Sequence, residues 1–383
     1  MAGGEIDREL GRQWEAGFRP GPGDDERFMA HALRLARRGL NTTHPNPAVG
    51  SVVVKNGRVI GEGWHRLAGQ HHAEVLAIRQ AGKRAEGATL YVTLEPCSHH
   101  GKTPPCVKAI VRSGIRRVVV AITDPDPRVN RSGIAELQEA GLEVVVGPGR
   151  EEARTVNRGF LKRMTTGVPW VTLKMASSLD GKTAMLDGES QWITSGAARR
   201  DAHRWRAQSS AIMTGVGTVL RDDPSMTARL DGIERQPLRI VLDSHLSTPA
   251  TAKILSGDGN VLIITSVSGE VSVGSRAVDS VEVVRCRADR GRMDLHAVMR
   301  ELGRRELNTV LLEAGPRLSG SMIGHGLVDE IIVYLSPDLL GNRTRGMFDL
   351  PGVGHLSDRI GLEYRDVVAV GRDLRLTLGV KPR

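Results

Sequence analysis

His72-Ala73-Glu74, Pro96-Cys97 and Cys106 place an imidazole, two thiols and a carboxylate within one stretch of the chain. One imidazole and two thiolates suit zinc, whose tetrahedral shell then keeps a fourth position for water. Zinc in such a site lowers the pKa of that water to about 7, making hydroxide near neutral pH. A carboxylate two residues from the histidine is placed to take the water's proton and pass it to a ring nitrogen or a leaving amine. A closed structural zinc site, or two unliganded cysteines, is the competing reading. The H-A-E at a helix start and the P-C at a strand end favour the open, catalytic one. His71, His99 and His100 read as loop histidines.

The elements that must carry these groups follow from periodicity. His72 and Glu74 open a helix expected over 73–81, and Cys97 follows a strand expected over 89–94. Pro104-Pro105 starts the helix bearing Cys106, since proline suits the first helical position. Upstream, Phe28, Met29, Ala32, Leu33, Leu35 and Ala36 recur at helical spacing. The runs 49–55 and 58–63 flank Asn56-Gly57, the signature of a hairpin with a type I′ turn. Short strands at 118–122 and 142–146 flank a helix at 134–140, so a sheet with helices on its faces is expected.

Residues 1–23 read as a flexible tail, 24–147 as the first domain, and 148–168 as a linker with a polar helix over 150–158. Residues 169–383 form a second domain. Its β-type runs are 170–175, 211–214, 238–243, 261–265, 281–284, 309–312 and 331–335, with helical stretches near 197–207, 295–302 and 318–324. Neither G-x-G-x-x-G nor G-x-x-x-x-G-K-[ST] occurs there. Gly215-Val-Gly-Thr-Val and Glu313-Ala-Gly-Pro-Arg each follow a strand; they are plain strand–helix turns or phosphate-facing helix starts.

The chain has 383 residues, 40% of them hydrophobic and 25% charged, enough for two domains. No run approaches the roughly 20 apolar residues of a membrane helix, and no secretion signal is seen. Three cysteines do not make a disulfide framework, so a cytoplasmic setting is expected. The net charge of +9 fits small phosphates as well as nucleic acid. An aromatic content of 3% disfavours single-strand binding, where stacking platforms are needed.

H-x-E…P-C-x-x-C is the signature of zinc nucleobase deaminases; here eight residues separate the cysteines instead of two. The segments Thr43-His-Pro-Asn-Pro-Ala-Val-Gly50, His72-Ala-Glu74 and Leu94-Glu-Pro-Cys-Ser-His-His-Gly-Lys-Thr-Pro-Pro-Cys106 resemble the bifunctional riboflavin-biosynthesis deaminase/reductase family. So do Lys174-Met-Ala-Ser-Ser-Leu-Asp-Gly-Lys182, Gly188-Glu-Ser-Gln-Trp-Ile-Thr-Ser195, Thr214-Gly-Val-Gly-Thr-Val-Leu-Arg-Asp-Asp-Pro224 and Glu313-Ala-Gly-Pro316. The resemblance implies an α/β chain: a cytidine-deaminase-like αβα domain followed by a dihydrofolate-reductase-like α/β domain. It implies zinc-dependent loss of the 2-amino group of 2,5-diamino-6-ribosylamino-4(3H)-pyrimidinone 5′-phosphate. Reduction of the ribosyl group to ribityl by NADPH would follow. It also implies a small phosphorylated pyrimidine as partner, with neither nucleic acid nor membrane, and a homo-oligomer. A nucleic-acid deaminase with a non-catalytic binding half is the alternative.

By motif position, His72, Cys97 and Cys106 would hold zinc and Glu74 would shuttle the proton. Asn46, His65 and Lys102 would contact substrate; without the motif they read as a turn residue, a surface histidine and a solvated charge. Ala176, Trp192, Thr218, Asp222, Ser244 and the Gly315 loop would contact NADPH. Lys174, Ser190, Arg206, Met226, Arg229 and Glu313 would contact the second substrate. Arg206 and Arg229 suit phosphate because guanidinium presents a fork of donors. Lys174 and Glu313 are equally compatible with a structural ion pair, and Trp192 with a core aromatic. Cys286 has no partner in this scheme. Asp126 and Arg131 depart from the family, which has asparagine and often glycine there.

Overall fold

Asn56 and Gly57 both take positive φ, 50° and 70°, as a type I′ turn requires. They fold the valine-rich β1 (Gly50–Lys55) onto antiparallel β2 (Arg58–Trp64). β3 (Thr89–Val92) pairs with the other edge of β1, and β4 (Arg117–Val120) and β5 (Glu143–Val146) continue parallel to it. The order is β2-β1-β3-β4-β5. This is a computed structural model; it describes residues 22–99, 103–126, 129–267, 280–289 and 292–381. The chain divides into two compact units between Thr165 and Thr166. Of the expected tail only Pro22 and Gly23 are described, and Pro22 already opens a helix.

In the first unit α1 (Pro22–Arg37) buries Phe28, Met29, Ala32, Leu33 and Ala36. A Cβ at Gly50 would stand 2.0 Å from the Ala32 carbonyl oxygen, so glycine is what lets α1 lie this close to β1. Buried Asp25 accepts the Tyr91 hydroxyl at 2.9 Å and a two-pronged Arg117 at 2.8 Å, tying α1 to β3 and β4. α2 (Ala73–Ala81) packs on β2 through Gly63, where a Cβ would meet the Ala73 carbonyl oxygen at 2.6 Å. α3 (Cys106–Arg112) precedes β4, and α4 (Ser132–Glu139) precedes β5.

The segment 148–168 is not a bare connector. It forms α5 (Arg150–Val156) and α6 (Arg158–Thr166). Ala153 and Phe160 are buried in the first unit's core, with Val156, Leu161 and Met164 against it. Between the helices, the Asn157 side chain accepts the Ala48 N–H at 2.8 Å and donates to the Ala48 carbonyl at 2.9 Å. Abundant charge along 150–163 hid this sparse apolar stripe.

The second unit comprises β6 (Trp170–Ser178), β7 (Lys182–Met185), α7 (Gly196–Gln208), β8 (Ala211–Gly215), α8 (Val216–Asp222), β9 (Leu238–Leu242), β10 (Val261–Thr265) and β11 (Val281–Arg285). Next come the short β12 (Ala288–Asp289) and β13 (Arg292–Met293), α9 (Leu295–Arg304), β14 (Thr309–Leu312), α10 (Pro316–Gly324) and β15 (Glu330–Ser336). It ends with β16 (Thr344–Gly346), β17 (Leu362–Val370) and β18 (Asp373–Val380). Among the described residues one nine-stranded sheet runs β11-β10-β9-β8-β14-β6-β15-β18-β17. From β11 to β15 every neighbour is parallel, and β18 and β17 add an antiparallel edge. Parallel strands bring their carboxyl ends to one side, where α/β sheets bind ligands. The closing hairpin β17–β18 was not anticipated: β17 is mostly exposed and interrupted by charge, so it lacks the apolar run of a buried strand. No helix among the described residues is long and apolar enough to cross a membrane.

Candidate active sites

Three local features converge in the first unit. His72 is the N-cap of α2, Glu74 lies in its first turn, and Cys106 opens α3 behind Pro105. Cys97 sits on the loop beyond β3. One ligand atom from each of His72, Cys97 and Cys106 lies within 4.8 Å of the others. His72 Nδ1 is 3.1 Å from Cys106 Sγ and 3.5 Å from Cys97 Sγ. Nitrogen and sulfur on a tetrahedral zinc stand about 3.6 Å apart, so the donor set and its spacing fit that metal. Hydrogen bonding with Cys106 holds the Cys97 thiol well below its usual range, against burial and with help from His72. The Cys106 backbone N–H also points at Cys97 Sγ, at 3.4 Å.

Glu74 is 3% exposed, and its Oε2 is buried with no hydrogen-bond partner among the described residues. Burial pushes its carboxyl above the ordinary range, with His72 opposing. A carboxyl in that state holds and releases protons, unlike a salt-bridged anion.

Asn46 and His65 join this site. Asn46 Nδ2 lies 3.0 Å from His65 Nε2, and the His65 ring stands edge-on to His72 with centroids 5.2 Å apart. Lys102 lies outside the described residues. Two contributors were invisible to sequence spacing. Thr103 Oγ1 lies 3.2 Å from His72 Nε2, the ring nitrogen that faces away from the sulfurs. Glu95 is 4% exposed and accepts four backbone N–H groups, from Asp124, Arg131, Gly133 and Ile134. It thereby clips the 124–134 loop and the start of α4 to the Pro96-Cys97 turn. The two departures lie on this loop: Asp126 is buried, and Arg131 takes φ 68°, the left-handed conformation that favours glycine.

In the second unit Glu313 immediately follows β14, between the carboxyl ends of β8 and β6. It accepts Arg206 Nε at 2.6 Å and Arg206 Nη2 at 3.0 Å, and Lys174 Nζ at 3.1 Å. Burial pushes its carboxyl up, but Arg206 and Lys174 outweigh that and hold it well below the carboxylate range. The ion pair weighed from sequence is therefore present, with Arg206 as a third member. Arg206 Nη1 also donates to the Thr227 carbonyl at 3.0 Å, so much of its fork is committed within the protein.

Met226 is 3% exposed in an apolar cluster with Ile212 and Val219, so its side chain faces the core and only its main chain is left to meet a ligand. Trp192 is not a core aromatic: it is 67% exposed, with the Arg199 guanidinium 4.3 Å from its ring centroid. Ala176 lies on β6, Thr218 and Asp222 on α8, and Ser244 just beyond β9. Gly315 caps α10, and a Cβ there would meet nothing within 4 Å. Ser190 precedes the turn carrying Trp192 and makes no contact among the described residues that assigns it a role. Buried Asp243, not anticipated, accepts the Thr248 N–H and hydroxyl at 2.7 Å and so shapes the loop after Ser244. These positions belong to neighbouring strands of the sheet and the segments that follow them, on the side where α/β sheets bind ligands. Cys286 is partly buried against the core.

Comparison with known proteins agrees with this division. The cytidine and deoxycytidylate deaminase zinc-binding region matches residues 22–122, and the RibD C-terminal domain matches residues 169–376. The riboflavin biosynthesis protein RibD of Escherichia coli K12 is 46% identical over 367 residues, covering 92% of this chain and 99% of that protein. Its Haemophilus influenzae counterpart is 42% identical, covering 91% and 96%. Among solved structures, form 1 of Acinetobacter baumannii RibD superposes with a TM-score of 0.87 at 42% identity, covering 94% of this chain and 100% of that one. The Thermotoga maritima diaminohydroxyphosphoribosylaminopyrimidine deaminase/5-amino-6-(5-phosphoribosylamino)uracil reductase gives 0.84 at 34%, covering 94% and 99%.

Proposed function

The chain belongs to the RibD family, bifunctional enzymes of riboflavin biosynthesis that join a zinc-dependent deaminase to an NADPH-dependent reductase, and from this we propose its substrates and the role of each residue. The substrate of the first unit is 2,5-diamino-6-ribosylamino-4(3H)-pyrimidinone 5′-phosphate, which loses its 2-amino group as ammonia. When bound, zinc on His72, Cys97 and Cys106 supplies Lewis-acid activation of the attacking water. Glu74 takes one proton from that water and delivers it to the ring nitrogen, then relays the water's second proton to the departing amine. Asn46 and His65, already bonded to one another, orient the pyrimidine, and Lys102 meets the phosphate. The observation that carries this reading is the buried, unpartnered oxygen of Glu74 beside three ligands at zinc spacing.

The second unit takes the deaminated product. When bound, NADPH would supply the hydride to C1′ of the sugar. Its contacts are Ala176, Trp192, Thr218, Asp222, Ser244 and the Gly315 loop. Lys174 and Glu313 orient the opening ribose, Ser190 and the Met226 main chain border it, and Arg229 with the uncommitted donors of Arg206 receives the phosphate. The functional boundary of the deaminase lies near residue 147, with α5 and α6 as its structural extension.

The chain works as a homo-oligomer. Edge strand β17 exposes Leu362, Tyr364 and Val367, with Tyr364 at 72%, an apolar edge that a second copy would cover. A cytoplasmic setting suits a site whose zinc ligands are free thiols. One reaction tests the whole reading: the purified chain receives the diaminopyrimidine phosphate and NADPH, and ammonia, ribityl product and bound zinc are measured together. Equal yields of both products with about one zinc per chain are expected. Absence of ammonia from zinc-loaded protein would reject the deaminase. No NADPH oxidation with the deaminated substrate would reject the reductase.

A further inference from the structure

The loop after α8 holds an unusual amount of backbone in place with side chains. It carries Asp223 at φ 39° and Met226 at φ 51°, two residues other than glycine in the left-handed region. It joins neither helix nor strand over 223–230. Three consecutive residues of it are nevertheless fixed. The Thr227 carbonyl accepts Arg206 Nη1 at 3.0 Å. The Ala228 N–H and carbonyl are both met, at 2.9 Å, by the side-chain amide of Gln236. The Arg229 N–H donates to His203 Nδ1 at 3.1 Å. His203 and Arg206 lie three residues apart on α7, on one face of the helix, so a single rigid element holds both ends of the 227–229 tripeptide.

We propose that His203 is a positioning residue of the reductase: its neutral ring accepts the Arg229 N–H and thereby aims the Arg229 guanidinium at the substrate phosphate. This rests on the assignment of Arg229 to the phosphate made above. The geometry requires a lone pair on Nδ1, so the proton of the neutral ring sits on Nε2. The surroundings enforce that state. Burial, then the neighbouring Arg206 and Arg229 cations, lower the His203 pKa to about 4. Arg229 itself is exposed, and its only other hydrogen bond among the described residues is a 3.3 Å contact from Nη1 to the Thr227 hydroxyl. Its direction therefore depends on its main chain, and its main chain depends on His203. The nicotinamide contacts proposed above lie on other segments, so His203 separates substrate affinity from cofactor affinity.

The test uses the full chain with His203→Leu and His203→Asn. Asparagine can place a carbonyl oxygen close to the Nδ1 position; leucine offers no acceptor. Reductase KM for the deaminated phosphate, kcat, and NADPH Kd by fluorescence are measured, with ammonia release as an internal control of folding. His203→Leu is expected to raise KM about tenfold, the scale of one lost hydrogen bond. kcat, NADPH Kd and ammonia release stay within about twofold, and His203→Asn recovers most of the KM. Combining His203→Leu with Arg229→Ala raises KM no further than Arg229→Ala alone. A wild-type KM in His203→Leu, or equal losses in KM and NADPH Kd that asparagine does not repair, would overturn the proposal. If Arg229→Ala also leaves KM unchanged, the phosphate assignment itself has failed; if it raises KM while His203→Leu does not, only the role of His203 has.

Discussion

Glu74 and Glu313 are both buried glutamates at the heart of their units, and their surroundings make them opposites. Glu74 faces two sulfurs and one imidazole and keeps an oxygen with no partner, so burial raises its pKa. Glu313 is gripped by a guanidinium and an ammonium, so it stays an anion. The first can carry a proton during a reaction. The second cannot without dismantling its cluster, and it serves as a fixed charge that sets the geometry of Lys174 and Arg206. Burial of a carboxylate thus says little about its role; the count of partners on its oxygens says more.

Paired substitutions exploit that contrast. Glu74→Gln should slow ammonia release by at least about a hundredfold, the usual scale of a lost proton shuttle. Bound zinc by metal analysis and thermal stability of the first unit should not fall, because Glu74 is not among the three metal-holding residues and the substitution removes the cost of burying a carboxylate. Glu313→Ala should do the reverse to stability. It strands two partly buried cations and should cost the second unit about 3 kcal/mol, read by denaturant unfolding, along with its NADPH oxidation. Retained stability in Glu313→Ala would show that the cluster is not a structural anion.

The pH response of the second unit should follow in sign. His203 has an ordinary value of 6.5 and a folded value near 4, so its ring is neutral in both states above pH 6.5. Between 6.5 and 4 the unfolded chain binds the proton first, and stability falls as pH falls. Arg206, Arg229 and Glu313 face the ring, and the two cations sharpen the effect. Glu313, depressed from its ordinary 4.5, adds a further loss at still lower pH. Unfolding midpoints of wild type and His203→Leu between pH 7 and 4 check this: the variant should show the shallower slope. The smallest effect belongs to Arg131→Gly. It relieves a left-handed arginine and should stabilise the first unit by up to about 1 kcal/mol, measured by thermal melts, without moving zinc content.

The two sites also differ in how much of each could be read from the chain. Zinc chemistry restricts residue type so strongly that His72, Glu74, Cys97 and Cys106 stand out by identity alone, and the helix and strand that carry them have clear apolar periods. The reductase edge uses serine, threonine, glycine and arginine, which are common anywhere on a surface. Its organisation comes from parallel strands brought together across long sequence separations, as with Lys174, Arg206 and Glu313. Supporting groups such as Thr103, Glu95, Asp243 and His203 act by single hydrogen bonds to ligands or loops, and no periodic pattern marks them. Met226 shows the converse: a motif position survived while the side chain turned inward. The helix α5 was expected but its packing into the core was not; that packing, α6 and the hairpin β17–β18 escaped because charge masks the apolar stripe of the helices and β17 is exposed.

The most direct measurement follows NADPH oxidation by Glu74→Gln with two substrates in parallel. With the diaminopyrimidine phosphate the variant should release no ammonia and oxidise no NADPH, while with the deaminated product it should match wild type. Undiminished NADPH oxidation from the diamino substrate would contradict a Glu74-dependent deamination that feeds the second unit.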